Sequence, residues 1–370
     1  MNLQREATLS DVINAWGTPT PFGVSRSSPG VARAAGQGLL RHVEIDELAA
    51  RVAERIVAVA GTEAAWFCHC SAAGVTLAAA GALAGSDPVA VAALPRRDEA
   101  GVIAIQEEHC VHYGQPIEQA LRLSGAHVLR LAGSPDQRRA ALDAAARAGT
   151  LRAVMAVDSS LVKHQAALTR PMLSTLARRH GVGLIVDAAA QDWRLNDRDA
   201  LAQADITLFS AQKYLAAPTC GILAGTQRAV DAARAHLGGI GRAMKPSKEA
   251  LFGLWQALDE RDWAGLPALR QRNLARSQRF ARAVRADDAA PVRVSVQDTA
   301  DHGPFPRVLL QYAPPASAAQ VAEQLMRGSP RIAVGRGHLD RNALTLELTH
   351  VDPGEEAQLL ARLQAIHASL

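Results

Sequence analysis

The sequence predicts an α/β protein, with a large domain on a mainly parallel sheet and a small α+β domain after it. Three observations carry this. From Glu63 to Gly225 short apolar runs alternate with helical patterns, the mark of strand–helix–strand crossovers. From about Leu266 the order changes to a βαββα-like run. The chain has 370 residues, 48% of them hydrophobic, enough for one large core and a smaller one. The expected division is an N-terminal arm over 1–43, a large domain over 44–260 and a small domain over 261–370.

In chain order, residues 1–40 read as an arm. Leu9–Ala15 suits a short helix or strand, and Pro19, Pro21, Gly23, Pro29 and Gly30 then predict an irregular course. Glu44–Ala60 repeats apolar residues at helical spacing (Ile45, Leu48, Val52, Ile56, Val59) and stops at Gly61. Glu63–Phe67 reads as a strand, CHCSAAG as a small-residue turn, and Val75–Leu83 as a helix. A strand, small-residue turn and helix in this order bind phosphate, because free N–H groups and the helix dipole face the anion. Strands are expected at Val102–Gln106, Val128–Leu131 and Ala153–Val157, and helices at Ile117–Ser124, Pro135–Arg147 and Pro171–His180. Asp158–Arg170 reads as a polar loop at the same sheet edge, bringing Lys163 and His164 there. Past Lys248–Asp259, a helix, the small domain is expected as helix Arg270–Val284, strands Val292–Val296 and Val308–Tyr312, helix Ser317–Arg327, strands Arg331–Val334 and Ala343–Leu348, and helix Glu355–Leu370.

The chemistry concentrates between Gly183 and Gly225. Two apolar runs, Leu184–Val186 and Ile206–Phe209, read as buried strands. The first delivers Asp187; the second delivers Ser210 and then Lys213. Ligands in open α/β sheets bind at the carboxyl ends of strands. A carboxylate and an amine there suit pyridoxal phosphate: the lysine holds it as a Schiff base and the carboxylate keeps the ring nitrogen protonated. Only four of the 40 basic residues are lysines, and arginine, which stays protonated, cannot do this. On spacing alone, a strand-end cap and a surface lysine remain an open alternative.

DVINAWGTPTPFG, EAAWFCHCSAAGVTLAAAGALAG, QEEHCVHYGQPIEQALRLSGA, IVDAAAQ, ADITLFSAQKYLAAPTCGILAG and GGIGRAMKPSKEALFGLWQAL follow one another through the chain. In this order they resemble fold-type I pyridoxal-phosphate enzymes, and within them the selenocysteine-synthase-like group, ammonia-lyases among them. The resemblance implies the fold-type I transferase architecture and the following roles. Lys213 links the cofactor and moves the α-proton; Asp187 pairs with the ring nitrogen; Ala189 packs under the ring; Gln191 reaches the phenolic oxygen. Ser210 with Ser71, Ala72 and Ala73 holds the phosphate, and His109, with Tyr113 nearby, stacks on the ring. Arg242, in a Gly-Arg-x-Met-Lys segment with Lys245, meets a substrate carboxylate or phosphate. Arg336 and Asn14 are further substrate contacts, Asn14 through an arm that reaches a neighbouring subunit. Two departures stand out: Cys68-His69-Cys70 where relatives carry a Thr-Ser-Gly loop, and Ala211-Gln212 where they carry Gly-Gly.

Other classes fit less well. The formal charge is +4, but basic residues are scattered. Arg138–Arg139 and Arg178–Arg179 read as solvated helix faces, and no basic stripe interleaves with aromatics, so nucleic acid is not an expected partner. Cys68, His69, Cys70, His109, Cys110 and His112 have the residue types of a zinc site, but Cys-His-Cys on an extended segment points to alternate faces; no metal is expected. No apolar run has bilayer length, and four cysteines make no disulfide framework, so a cytoplasmic protein with no membrane partner is expected. The functional expectation is a lyase of the α,β-elimination or ammonia-lyase type, acting on a small hydroxylated amino acid with or without a phosphate. The resemblance also implies a homodimer or higher homo-oligomer. Racemase, aldolase and aminotransferase chemistry, a non-catalytic regulatory role and tRNA-dependent selenium transfer are the alternatives.

Overall fold

The computed structural model describes Leu9 and residues 11–96, 101–162, 164–285 and 291–370. Its strands are β1 Val12–Ala15, β2 Ala64–Cys68, β3 Val102–Gln106, β4 His127–Leu131, β5 Leu151–Val157, β6 Gly183–Asp187, β7 Ile206–Ser210, β8 Gly221–Gly225, β9 Val292–Gln297, β10 Arg307–Tyr312, β11 Arg331–His338 and β12 Ala343–Glu347. They belong to two units. One spans Ser27–Arg261; the other joins the described residues up to Arg26 with Asp262–Leu370.

The larger unit holds a seven-stranded sheet in the order β2-β8-β7-β6-β5-β3-β4. Strands β3 to β7 pair in parallel, and β8 runs antiparallel to both its neighbours, β2 and β7. Central strands buried on both faces read as continuous apolar runs, as β5, β6 and β7 do. Glycines let β8 lie close to its surroundings: a Cβ on Gly221 would stand 2.6 Å from the Cys68 sulfur and from the Cys70 backbone. The β2–α turn therefore passes tightly over β8. Helix Ser71–Ala84 follows that turn and is buried through most of its length. A Cβ on Gly81 would meet the backbone of Ala233 at 2.8 Å, so this glycine sets the close packing of helix Gln227–Ala235.

The smaller unit is a five-stranded sheet, β1-β11-β12-β10-β9. Val12–Ala15 pairs in parallel with Arg331–Val334, which makes the arm an edge strand of this sheet. Ile13, Ala15, Val308, Leu310, Leu344 and Leu346 share one core with residues of helices Leu266–Arg285, Ala318–Arg327 and Pro353–His367.

Several expectations need correction. Pro29–Leu39 is a helix rather than irregular chain: the Ser28 hydroxyl accepts the Val31 N–H, and Pro29 occupies the first turn, where its missing N–H costs nothing. Helix Ser71–Ala84 begins four residues before the expected Val75, so Ser71, Ala72 and Ala73 form its first turn. Strand β8 and helices Pro88–Ala93 and Gln227–Ala235 went unread, the strand because its glycines mask its pattern. Arg138 is not on a solvated face. It is 2% exposed, and its guanidinium binds Glu108 at 2.6 and 2.8 Å, Glu107 at 3.1 Å and the Gln106 amide at 3.2 Å. Arg178 and Arg179 are exposed as expected.

Candidate active site

The carboxyl ends of β6 and β7 bring Asp187 and Lys213 into one electrostatic neighbourhood of the larger unit. Asp187 ends β6 and is 7% exposed. Its Oδ1 accepts the Ala189 N–H at 3.0 Å. Burial raises its proton affinity; the Ala189 N–H and the Lys213 amine oppose that, and Asp158 adds to it. A buried carboxylate so placed acts strongly on any cationic group brought near it.

Lys213 follows β7 on a loop with little freedom. Its N–H donates to the Ser210 carbonyl at 3.2 Å, and Ala211 exchanges backbone bonds with Cys220 and Ala217. Burial lowers the proton affinity of the Lys213 amine, while Asp187 and Asp192 raise it. An amine that sheds its proton readily is both a nucleophile toward carbonyl carbon and a base. In the expected Gly-Gly position, Gln212 accepts the Thr219 hydroxyl at 2.6 Å and so stiffens the loop from outside.

Helix Ser71–Ala84 supplies the anion end. Its N-cap residue, Cys70, makes no side-chain cap, which leaves first-turn N–H groups to a ligand. Ser210, 1% exposed, ends β7, whose residue partner across the ladder is Gly221. The loop of Arg242 docks here: the His69 N–H donates to the Met244 carbonyl at 2.6 Å. Arg242 itself is exposed, on the 3-10 turn Arg242–Met244.

His109 ends the segment after β3 and is 8% exposed, with Nδ1 buried and unpartnered; burial lowers its proton affinity, against Glu108 and Asp158. Arg138, holding Glu107, Glu108 and Gln106, fixes that segment from below, and Gln106 also exchanges two 2.8 Å bonds with the Leu168 backbone. A cleft of about 430 Å³ opens beside His109, lined among others by Val157, Asp158, Leu168, Arg170 and Arg194. Tyr113 accepts the Gln115 amide at 3.2 Å, and burial pushes its phenol up to about 12. Gln191 is 2% exposed in the turn after Asp187.

Lys213, Asp187, Ser210, Gln191, His109, Ser71, Ala72, Ala73 and Arg242 thus all belong to the larger unit. Asn14 and Arg336 belong to the smaller one. Asn14 is buried; its Nδ2 donates to the Gly17 carbonyl at 2.9 Å and its Oδ1 accepts the Trp16 N–H at 3.1 Å. Arg336 donates to the Ala322 carbonyl at 3.4 Å. His164 is exposed, and Lys163 lies outside the described residues. The sequence reading missed Asp192, 1% exposed and directly after Gln191. Its position before a short turn reads as an ordinary cap, and nothing in the local pattern signals its burial.

No protein-family model matches the chain. It is 30% identical to a 5'-C-glycyluridine monooxygenase-decarboxylase of Streptomyces sp. over 361 residues, 96% of this chain and 89% of that one. It is also 30% identical to the D-glucosaminate-6-phosphate ammonia lyase of Salmonella typhimurium over 371 residues, 99% and 98% of the two chains. A solved D-glucosaminate-6-phosphate ammonia-lyase superposes with a TM-score of 0.84 at 27% identity, covering 100% of this chain and 99% of that one. The serine palmitoyltransferase of Sphingomonas wittichii shares the fold, with a TM-score of 0.64 at 14% identity over 97% and 88%. The chain is therefore an enzyme that belongs to the fold-type I pyridoxal-phosphate family, alongside D-glucosaminate-6-phosphate ammonia lyase.

Proposed function

We propose that this enzyme is a pyridoxal-phosphate lyase that removes the β-hydroxyl of a small hydroxylated amino acid, with or without a phosphate, and releases ammonia. The observation that carries the proposal is that the Lys213 amine and the Asp187 carboxylate act on each other electrostatically beside the carboxyl ends of two neighbouring strands. The residues fit the cofactor on independent grounds. Helix Ser71–Ala84 has no side-chain cap, and His109 keeps a buried ring nitrogen unpartnered. When bound, pyridoxal phosphate supplies an aldehyde that takes up amines and a ring that accepts electrons.

Lys213 would hold the cofactor and, once its amine is displaced by the substrate's, take the proton from the substrate α-carbon. Asp187 would keep a proton on the ring nitrogen; Ser210 and the N–H groups of Ser71, Ala72 and Ala73 would hold the phosphate; His109 would lie against the ring and Gln191 near its oxygen. The β-hydroxyl leaves as water, and water taken up afterwards gives the keto acid and ammonium. Arg242, exposed on a loop docked beside the phosphate end, would draw in an anionic group, as would Arg336. Asn14 has both amide atoms engaged in the arm's turn, so we assign it the turn first and substrate second. A homodimer or higher homo-oligomer and a cytoplasmic setting are part of the proposal; four free cysteines support the setting.

A second reading is favoured by one observation, the equal identity to the Streptomyces monooxygenase-decarboxylase. Incubation with hydroxy-amino acids and their phosphate esters under argon separates the two. Keto acid and ammonia in equal amounts without oxygen support the lyase; carbon dioxide release that requires oxygen overturns it.

A further inference from the structure

The backbone just after Lys213 is held by two side chains. The Oδ2 of Asp192 accepts the Leu215 N–H at 2.6 Å, and its carboxylate takes the Tyr214 N–H as well. From the other side Arg261 donates to the Tyr214 carbonyl at 3.4 Å. The two residues after the lysine are therefore held by a carboxylate and a guanidinium, which face each other electrostatically. Asp192 is 1% exposed, and its Oδ1 is buried without a hydrogen-bond partner. A buried carboxylate oxygen left open is costly for stability. It is intelligible where the charge serves a neighbour.

We propose that Asp192 is a positioning residue for Lys213, clamping the loop backbone at Tyr214 and Leu215 and supplying, beside Asp187, the second negative charge that the lysine amine faces. The charged groups around this centre are few. Lys213 meets Asp187 from β6 and Asp192 from the following turn; Asp192 meets Arg261 from the end of helix Lys248–Glu260; Asp187 meets Asp158 after β5. Burial pushes the Asp192 carboxyl up to about 6, so its charge is present at neutral pH and is lost in mild acid. The lysine then faces Asp187 alone, and its amine releases its proton more readily.

The test reads the lysine directly. In cofactor-free protein, the rate at which an amine reagent such as trinitrobenzenesulfonate labels Lys213 is followed against pH by peptide mass spectrometry. Asp192→Asn keeps an acceptor for the Leu215 N–H and removes the charge. It is expected to move the labelling midpoint about one unit toward acid, roughly tenfold faster labelling at a pH below both midpoints. Asp192→Ser gives the same shift with a smaller acceptor and covers the case in which the asparagine variant folds poorly. In the cofactor-loaded protein the pH dependence of the visible band shifts in the same sense. An unchanged midpoint in both variants overturns the proposal, even if their melting temperatures fall, because a purely structural clamp leaves the lysine's titration alone. The inference rests on Lys213 as the reacting amine, and the two can fail separately. Wild-type protein that never takes up pyridoxal phosphate on Lys213 defeats the cofactor reading; an unmoved midpoint defeats only the role of Asp192.

Discussion

Asp187 and Lys213 were legible in the sequence because each ends a short apolar run, and the structure puts them at the carboxyl ends of β6 and β7. Replacing Asp187 by Asn keeps the shape and removes the charge. Cofactor uptake by Lys213 is expected to survive, while turnover falls by about a hundredfold or more, in the range seen when one preorganised electrostatic partner is lost; steady-state kinetics beside the absorption spectrum check this. Asp192 was not legible. Its burial and its grip on Leu215 come from how the turn after β6 folds back on the loop after β7, and no local pattern encodes a contact across 23 residues. The same holds for Arg138, whose helical neighbourhood reads as solvated although its guanidinium is enclosed by Glu107 and Glu108.

At the scale of elements, periodicity located β3 and helix Pro135–Arg147 at their observed limits, since apolar spacing and the Ser134–Gln137 capping box are local signals. It failed where glycine or proline had a second use: β8 is built on glycines that make room for the Cys68–Cys70 turn, and Pro29 opens a helix rather than breaking one. The Arg138 cluster holds the segment after β3 that ends in His109. Arg138→Met leaves Glu108 without its partner and is expected to cost about 3 kcal/mol, read as a lower urea midpoint. Glu108→Gln added to Arg138→Met is expected to recover part of that loss, since the stranded charge goes with it.

For the whole molecule, the chain's ordering into two units was partly readable. Four of the small sheet's strands were anticipated and Leu9–Ala15 was left open between helix and strand; the parallel pairing of Val12–Ala15 with Arg331–Val334 joins residues over three hundred positions apart, and sequence pattern carries no such information. This smaller unit has its own response to acid. Burial and the nearby Arg26 hold the His350 imidazole down to about 4. The unfolded chain takes up that proton near 6.5 and the folded one does not, so the contribution is present above about pH 6.5 and is lost as pH falls through about 4, of order 3 kcal/mol. Denaturant titrations between pH 7 and 4 are expected to show this slope, and His350→Gln to flatten it. The likeness to enzymes of the pyridoxal-phosphate family over the full chain gives the molecule its class, while two relatives of equal identity and different activities leave the reaction to the site's own residues.

The central claim is that Lys213 carries pyridoxal phosphate. The most direct test is the visible absorption spectrum of purified protein with added cofactor, wild type beside Lys213→Ala, followed by borohydride reduction and peptide mapping. The account predicts a band in wild type that borohydride fixes on the Lys213 peptide and that the variant does not form, with turnover in the variant down by about 10²–10⁴-fold. A wild type that forms no band, or a label fixed on Lys245 or Lys248 instead, would contradict it.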